Sequence, residues 1–333
     1  MTRRWAVGML FSLAASAGAD DRWVVYPGGQ GSLQGKHVVL IAGDDEYRSE
    51  EAIPQLGKIL ATRHGCKCTV LFSQTADGVI EPTAGNIPGT AALDAADLLI
   101  LFTRMRDLPD EQMKPLARYI ESGQPIMGLR TATHAFQLRK SKTFAKYDWQ
   151  GNTPGYELGF GRQVFGETWH THHGHHAHQS TRGILVKEQS DHAILRGIKD
   201  GDIWGPSDVY GVHLPLPGDS KPLVLGQVVA GMKETDPPLA GAKNDPMMPI
   251  AWTKTYVGEA GKPARTFCTT MGSSQDLQNA GYRRLLVNAA YWCLGQERAI
   301  KPDAAVDLVG KFEVTPFKFG GGKKGVKPAD HAL

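Results

Sequence analysis

Several short segments of the chain are apolar at almost every position rather than at alternate ones. His37-Val-Val-Leu-Ile-Ala42, Cys68-Thr-Val-Leu-Phe72, Leu98-Leu-Ile-Leu-Phe102 and Pro125-Ile-Met-Gly-Leu129 have this form. Such runs suit parallel strands buried on both faces. Between them the period changes to that of a helix. Ser49–Arg63 carries Ile53, Leu56, Ile59 and Leu60 on one stripe; Ala91–Ala96 is helix-like; Asp110–Ser122 turns Met113, Leu116, Ala117 and Ile120 inward and is capped by Gly123. Alternation of this kind predicts right-handed β-α-β units: an α/β fold with an open parallel sheet and helices on both faces. From about 150 to 245 the pattern loosens into a loop-rich insertion with short strands at Gly183–Val186 and Leu223–Val229. Regularity returns with strands at Met248–Thr253 and Arg265–Thr270 and a closing helix, Gly281–Leu294. One domain over 36–297 accounts for these elements. The remainder, 298–333, is rich in Pro, Lys and Gly without periodicity and is expected to pack loosely.

The start of the chain reads differently. Thr2-Arg3-Arg4 precedes the apolar run Trp5–Ala15, and small residues follow at Ala15-Ser16-Ala17 and Ala17-Gly18-Ala19. This pattern predicts a secretory signal peptide over residues 1–19. The run is too short for a membrane helix, and no later run reaches the ~18–20 residues one needs. The mature protein is therefore expected to be secreted or periplasmic, with no membrane span. Among 333 residues, 37 are Lys or Arg and 34 Asp or Glu, a net charge of +3. Removal of residues 1–19 brings it to +1. So balanced a charge gives no electrostatic reason to expect nucleic acid as a partner. Export permits disulfides, but Cys66, Cys68, Cys268 and Cys293 are scattered, and they are expected as small buried residues.

Polar residues collect where strands end. Gly43-Asp44-Asp45-Glu46 follows the first, Thr103-Arg104-Met105-Arg106-Asp107 the third, and Arg130-Thr131-Ala132-Thr133-His134 the fourth. Thr253-Lys254 and Thr269-Thr270-Met271-Gly272 end later strands. In an open parallel sheet these carboxyl ends share one edge, where ligands bind. Glu46, Arg130 and His134 are the catalytic candidates there, with Asp45, Arg104, Arg106 and Thr133 as binding residues. Gly128–His134 has the form of a nucleophile elbow, yet Arg130 stands at its tip. A guanidinium is no nucleophile, and it suits an oxyanion instead. Thr131 and Thr133 would need a nearby base, so covalent acyl chemistry is disfavoured.

Six of the twelve histidines fall within residues 170–178. Imidazole is a common zinc ligand, and His170, His172 and His173 are the candidates for a divalent metal, although the segment lacks a fixed ligand spacing. A solvated loop with incidental metal affinity gives the same pattern. Trp169, Tyr210 and Trp252 are candidate cleft walls for a sugar ring. Asp208, in a turn-like context, is a candidate general acid.

Five segments in order resemble the trehalose-utilisation (ThuA-like) family. They are Gly128-Leu-Arg-Thr-Ala-Thr133, Asp191-His-Ala-Ile-Leu-Arg-Gly197, Ser207-Asp-Val-Tyr210, Pro249-Ile-Ala-Trp-Thr253 and Thr269-Thr-Met-Gly-Ser273. The resemblance spans 36–297 and implies a flavodoxin-like, class I glutamine amidotransferase-like fold. The chain departs from the family at Arg130 and Ser273, where histidine is usual, and at Asp208, where glutamate is usual. The resemblance implies sugar metabolism rather than glutaminase activity: acid/base hydrolysis or elimination of 3-keto disaccharides or glycosides, supplied by a partner sugar 3-dehydrogenase. A non-catalytic sugar-binding module on the same fold is the alternative.

Overall fold

The computed structural model describes residues 21–333, so the segment expected as a signal peptide lies outside the described residues. Among the described residues ten strands are present: β1 (Trp23–Tyr26), β2 (His37–Gly43), β3 (Lys67–Phe72), β4 (Leu98–Thr103), β5 (Ile126–Leu129), β6 (Thr181–Leu185), β7 (Trp204–Gly205), β8 (Lys221–Val228), β9 (Met248–Val257) and β10 (Pro263–Thr269). Three α-helices, α1 (Ser49–His64), α2 (Asp110–Glu121) and α3 (Ala280–Cys293), accompany them. The helix-like stretch near 91–96 is a 3₁₀ turn, Thr90–Ala95. No helix among the described residues is long and apolar enough to cross a membrane.

All ten strands join one sheet in the order β1-β3-β2-β4-β5-β10-β9-β8-β6-β7. Its centre, from β3 to β10, is parallel as the apolar runs predict. Both faces are covered. Val38, Leu40 and Ala42 of β2 pack with α1 and α3 residues, whereas Val39 and Ile41 pack with Met113, Leu116 and Ile120 of α2. The edges are antiparallel: β1 on one side, and β9, β8, β6 and β7 on the other. This corrects the expectation for β9. Only residues 258–262 separate it from β10, and so short a link makes a hairpin, since a parallel return needs a crossover of a dozen residues or more. Thr253-Lys254 therefore lies away from the edge where the parallel strands end.

Trp252 is a second correction. It sits on β9 opposite Cys268, fully buried, with its Nε1 donating to Phe165 O at 2.7 Å. It is core and does not wall a cleft. The four cysteines are buried and free, and Cys66 Sγ lies 3.7 Å from Cys68 Sγ.

The tail 298–333 is not loose. Thr315 bonds Glu51 through both its N (2.9 Å) and Oγ1 (2.7 Å), Tyr26 Oη donates to His331 O at 2.7 Å, and the His331 ring stacks on Phe72. Phe317 is buried between Tyr47 and His176, at centroid distances of 5.3 and 5.4 Å. The tail lacks a periodic stripe because it adds single anchors to a finished surface rather than a regular element. Truncation of a buried aromatic costs about 3–5 kcal/mol. Phe317→Ala is expected to lower stability by that amount, read as a reduced denaturation midpoint at unchanged m; a loss below about 0.5 kcal/mol, as for an ordinary surface substitution, would show that the tail is not anchored.

Candidate active site

Because β2, β4, β5 and β10 are parallel, their carboxyl ends meet at one edge, with Gly43 beside Thr103 and Leu129 beside Thr269. The loop after β2 is fixed by Asp44. This buried carboxylate accepts from Glu46 N (2.9 Å), Tyr47 N and Thr131 Oγ1 (2.7 Å), which aims Glu46 and Tyr47 across the edge. After β5 the chain turns into a 3₁₀ segment, Arg130–His134, with Arg130 in the left-handed region at φ 46°. The elbow form expected from sequence is present, and a non-glycine residue held there costs about 1–3 kcal/mol. The turn after β10 presses against it: Arg130 N donates to Met271 O at 3.1 Å, and a Cβ on Gly272 would stand 2.9 Å from Arg130 Cβ.

Arg130 does not reach the cleft. Its side chain is wholly buried, donating from Nη1 to Asp208 O (2.6 Å) and Thr270 O (2.5 Å), and from Nη2 to Asp208 Oδ1 (2.7 Å) and Tyr47 Oη (3.0 Å). Its guanidinium carbon lies 3.6 Å from the Tyr210 ring centroid and 4.3 Å from that of Tyr47. The oxyanion role expected for Arg130 is thereby corrected: its Nη donors are spent on the protein, and its remaining Nε is buried away from the cleft. Asp208 is corrected as well. Burial alone would push its carboxyl up, but Arg130 and hydrogen bonds from His172 and His176 outweigh that and hold it well below the usual carboxylate range. A carboxylate so held has no proton to give.

What Asp208 does is hold two imidazoles. His172 Nδ1 bonds Asp208 Oδ2 at 2.7 Å, and His176 Nδ1 bonds Oδ1 at 3.0 Å. The other nitrogen of His176 lies 3.2 Å from Glu46 Oε1. With a carboxylate at each end, both nitrogens carry protons. The bonds to Asp208 and then Glu46 raise this imidazole to about 9. His134 is the reverse case. Burial first, then the positive charges of Arg104 and Arg130, press its imidazole well below the ordinary value. Its Nδ1 lies 3.2 Å from Thr133 Oγ1, and Nε2 has no protein partner among the described residues.

Glu46, Arg104, His134, Trp169, His172, His176, Tyr210, Lys318 and Phe319 enclose a cleft of about 360 Å³. Seven of these nine come from the strand-end loops and the insertion; the tail supplies Lys318 and Phe319, with Phe319 beneath the Arg104 guanidinium at 4.8 Å. Other candidates stand behind the walls. Asp45 pairs with Arg104 at 3.3 Å and with Arg106 at 3.8 Å, and Arg106 is buried with its Nε donating to Arg104 O. Both brace the loop. Thr133 orients His134. His170, His172 and His173 do not converge: His173 Nε2 bonds Lys243 O at 2.6 Å, and the His170 ring lies against that of His213, centroids 3.9 Å apart and planes tilted by 40°, apart from the Asp208 cluster. Tyr47, His176 and the two tail residues are absent from the sequence-based candidates. His176 lies in the conspicuous histidine run and Tyr47 adjoins Glu46, but the tail carries no chemical signal.

His172, His176 and Asp208 have donor atoms close enough for a metal. The surroundings disfavour one: Arg130 already neutralises the carboxylate, and a metal must displace a proton held up to about pH 9 on His176.

A sequence profile of the ThuA family, described as trehalose utilisation, matches residues 39–293. The chain belongs to that family. A ThuA-like protein of known structure from Bacteroides uniformis shares the fold, with a TM-score of 0.50 and 13% identity over 83% of this chain and 98% of that one. A ThuA-like protein from Parabacteroides merdae aligns with a TM-score of 0.44 and 12% identity over 90% of this chain and 99% of that one. No functionally curated protein matches. The ThuA-family assignment and the α/β, flavodoxin-like expectation thus hold, and the five resembling motifs fall within the matched range or at its strand ends.

Leaving Arg130 buried without its carboxylate is expected to cost about 3–5 kcal/mol. Asp208→Asn measured by chemical denaturation checks this; a loss under about 1 kcal/mol would mean that the pair is not the anchor described.

Proposed function

We propose that this ThuA-family protein is an exported carbohydrate-active enzyme that carries out acid/base elimination on 3-keto disaccharides or glycosides. One arrangement carries the reading: two imidazoles of the cleft sit in opposite settings, His134 buried near Arg104 and Arg130, which presses its proton affinity down, and His176 between the carboxylates of Asp208 and Glu46, which raises it. Titratable groups pushed apart in this way are an acid/base pair ready to act at neutral pH.

A keto group at C3 acidifies the proton at C2. In the tautomer with Nδ1–H donated to Thr133, His134 Nε2 presents its lone pair to the cleft and takes that proton. Arg104, on the cleft wall, supplies a guanidinium for the developing enolate oxygen. The enolate electrons then form the C1–C2 double bond as the C1–oxygen bond breaks, and the leaving oxygen takes the Nε2 proton of His176 by way of the Glu46 carboxylate, which lies 3.2 Å from that nitrogen and lines the cleft. The same Glu46 carboxylate helps to keep His176 charged. Addition of water to the resulting enone completes a net hydrolysis. Trp169 and Phe319 offer ring faces to a sugar, and Tyr210, buried with one face against Arg130, lines the cleft wall. The substrate comes from a sugar 3-dehydrogenase reaction, which installs the ketone.

The protein is expected to cleave 3-keto-trehalose or a 3-keto-glucoside, and His134→Asn is expected to lower kcat by about 10²–10⁴. Activity falls at low pH as His134 gains a proton, below the ordinary imidazole value of 6.5, and falls again as pH rises past about 9 and His176 loses one. Folded protein that leaves several such substrates intact, assayed by chromatography, would remove the proposal.

A further inference from the structure

A second histidine cluster lies outside the cleft. The loop after the π-turn Gly161–Phe165 pairs antiparallel with the segment after Asp208, through the bridge His172–Tyr210 and the bond Gly211 N to Thr171 O at 3.0 Å. This pairing brings Glu167, His170 and His213 together. Glu167 is only 2% exposed, and its carboxylate is held in place: Oε1 accepts from Thr168 N at 2.8 Å and faces His213 Nδ1 at 2.8 Å, while Oε2 accepts from His213 N. Among the described residues no Lys or Arg pairs with it; the group facing it is the His213 imidazole. The two imidazoles lie at the surface, 3.9 Å apart between centroids. Gly211 leaves room for them, since a Cβ there would meet His170 Nε2 at 3.0 Å and Thr171 Cγ2 at 2.6 Å.

We propose that Glu167, His170 and His213 form a site for one divalent transition metal, with zinc the best fit. Two imidazoles and a carboxylate are a zinc donor set, and bonds of about 2.0–2.2 Å place tetrahedral ligand atoms roughly 3.3 Å apart. The three donor atoms lie within 4.8 Å of one another, so small rotations of two exposed rings close the set. The buried carboxylate here lacks the permanent cation that Asp208 has in Arg130, and a divalent ion supplies it. A metal on His213 Nδ1 takes the place of the hydrogen that faces Glu167 Oε1, and the ligating ring carries its one proton on Nε2. The solvent-facing side of the rings leaves the fourth position to water. This site stands apart from the proposed elimination and does not depend on it.

The test uses full-length protein without a histidine tag, freed of metal and titrated with zinc chloride by calorimetry, with thermal melting as a second readout. One zinc per chain is expected, together with a raised Tm. His170→Ala and His213→Ala, both at exposed positions and so expected to fold, should each weaken binding at least about tenfold and abolish the Tm rise. His172→Ala should leave the affinity within about twofold. Folded wild-type protein that binds no zinc would overturn the proposal. So would affinity that survives both alanine variants, since it would belong to the rest of the histidine run.

Discussion

A guanidinium has been taken out of water at the sharpest bend of the chain. Arg130 and Asp208 both have side chains without solvent exposure. Desolvating two such ions costs several kcal/mol apiece, and a pair is tolerated only when geometry and further hydrogen bonds compensate. Here two backbone carbonyls, the Tyr47 hydroxyl and two aromatic faces add to the compensation, and only Arg130 Nε among its nitrogens is left without a hydrogen-bond partner. The protonation pattern of the cleft follows. Asp208 stays ionised, so it can accept from His172 and His176; His176, also facing Glu46, stays charged; and positive charge at Arg130 and Arg104 helps to keep the buried His134 neutral.

The position of Arg130 makes it a structural tie rather than a group of the cleft. An elbow at the end of a central parallel strand lifts its tip residue to the edge where ligands bind, which is why acyl-transfer enzymes place a nucleophile there. In this chain the tip residue points into the protein and ties four segments together: the loop after β2 through Tyr47, the elbow itself, the turn after β10 through Thr270, and the insertion through Asp208. On the proposed reading, the working groups are the imidazoles arranged around that tie. The sheet supplies the shared edge, the loop-rich insertion supplies His172, His176 and Asp208, and the tail closes the last wall.

The parallel centre was legible because burial on both faces demands continuous apolar runs, and Val38–Ala42 and Leu98–Phe102 can be little else. The elbow was legible too, from a short strand ending in small and hydroxyl residues. The reversal of β9 was not, since an apolar strand pattern is the same in either direction and only the short link to β10 decides it. Partner choice at long range was also hidden. Nothing in the neighbourhood of Asp208 says that its counter-ion lies 78 residues away, and that pairing turns a candidate acid into a fixed anion. In the histidine run, spacing alone could not say which rings face Asp208, which face Glu167 and which face a backbone carbonyl, because a loop has no period to carry that information. The tail was misread for the same reason: isolated anchors such as Phe317 leave no stripe.

The account stands on opposite charge states for two imidazoles that share one cleft. Nitrogen NMR of the histidine rings, followed against pH in the wild-type protein and in Asp208→Asn, measures this directly. His176 should remain doubly protonated until about pH 9 and His134 should be neutral at pH 7, with His176 moving down toward the ordinary imidazole range once Asp208 loses its charge. Two rings that titrate together near 6.5 in the wild-type protein would contradict the account.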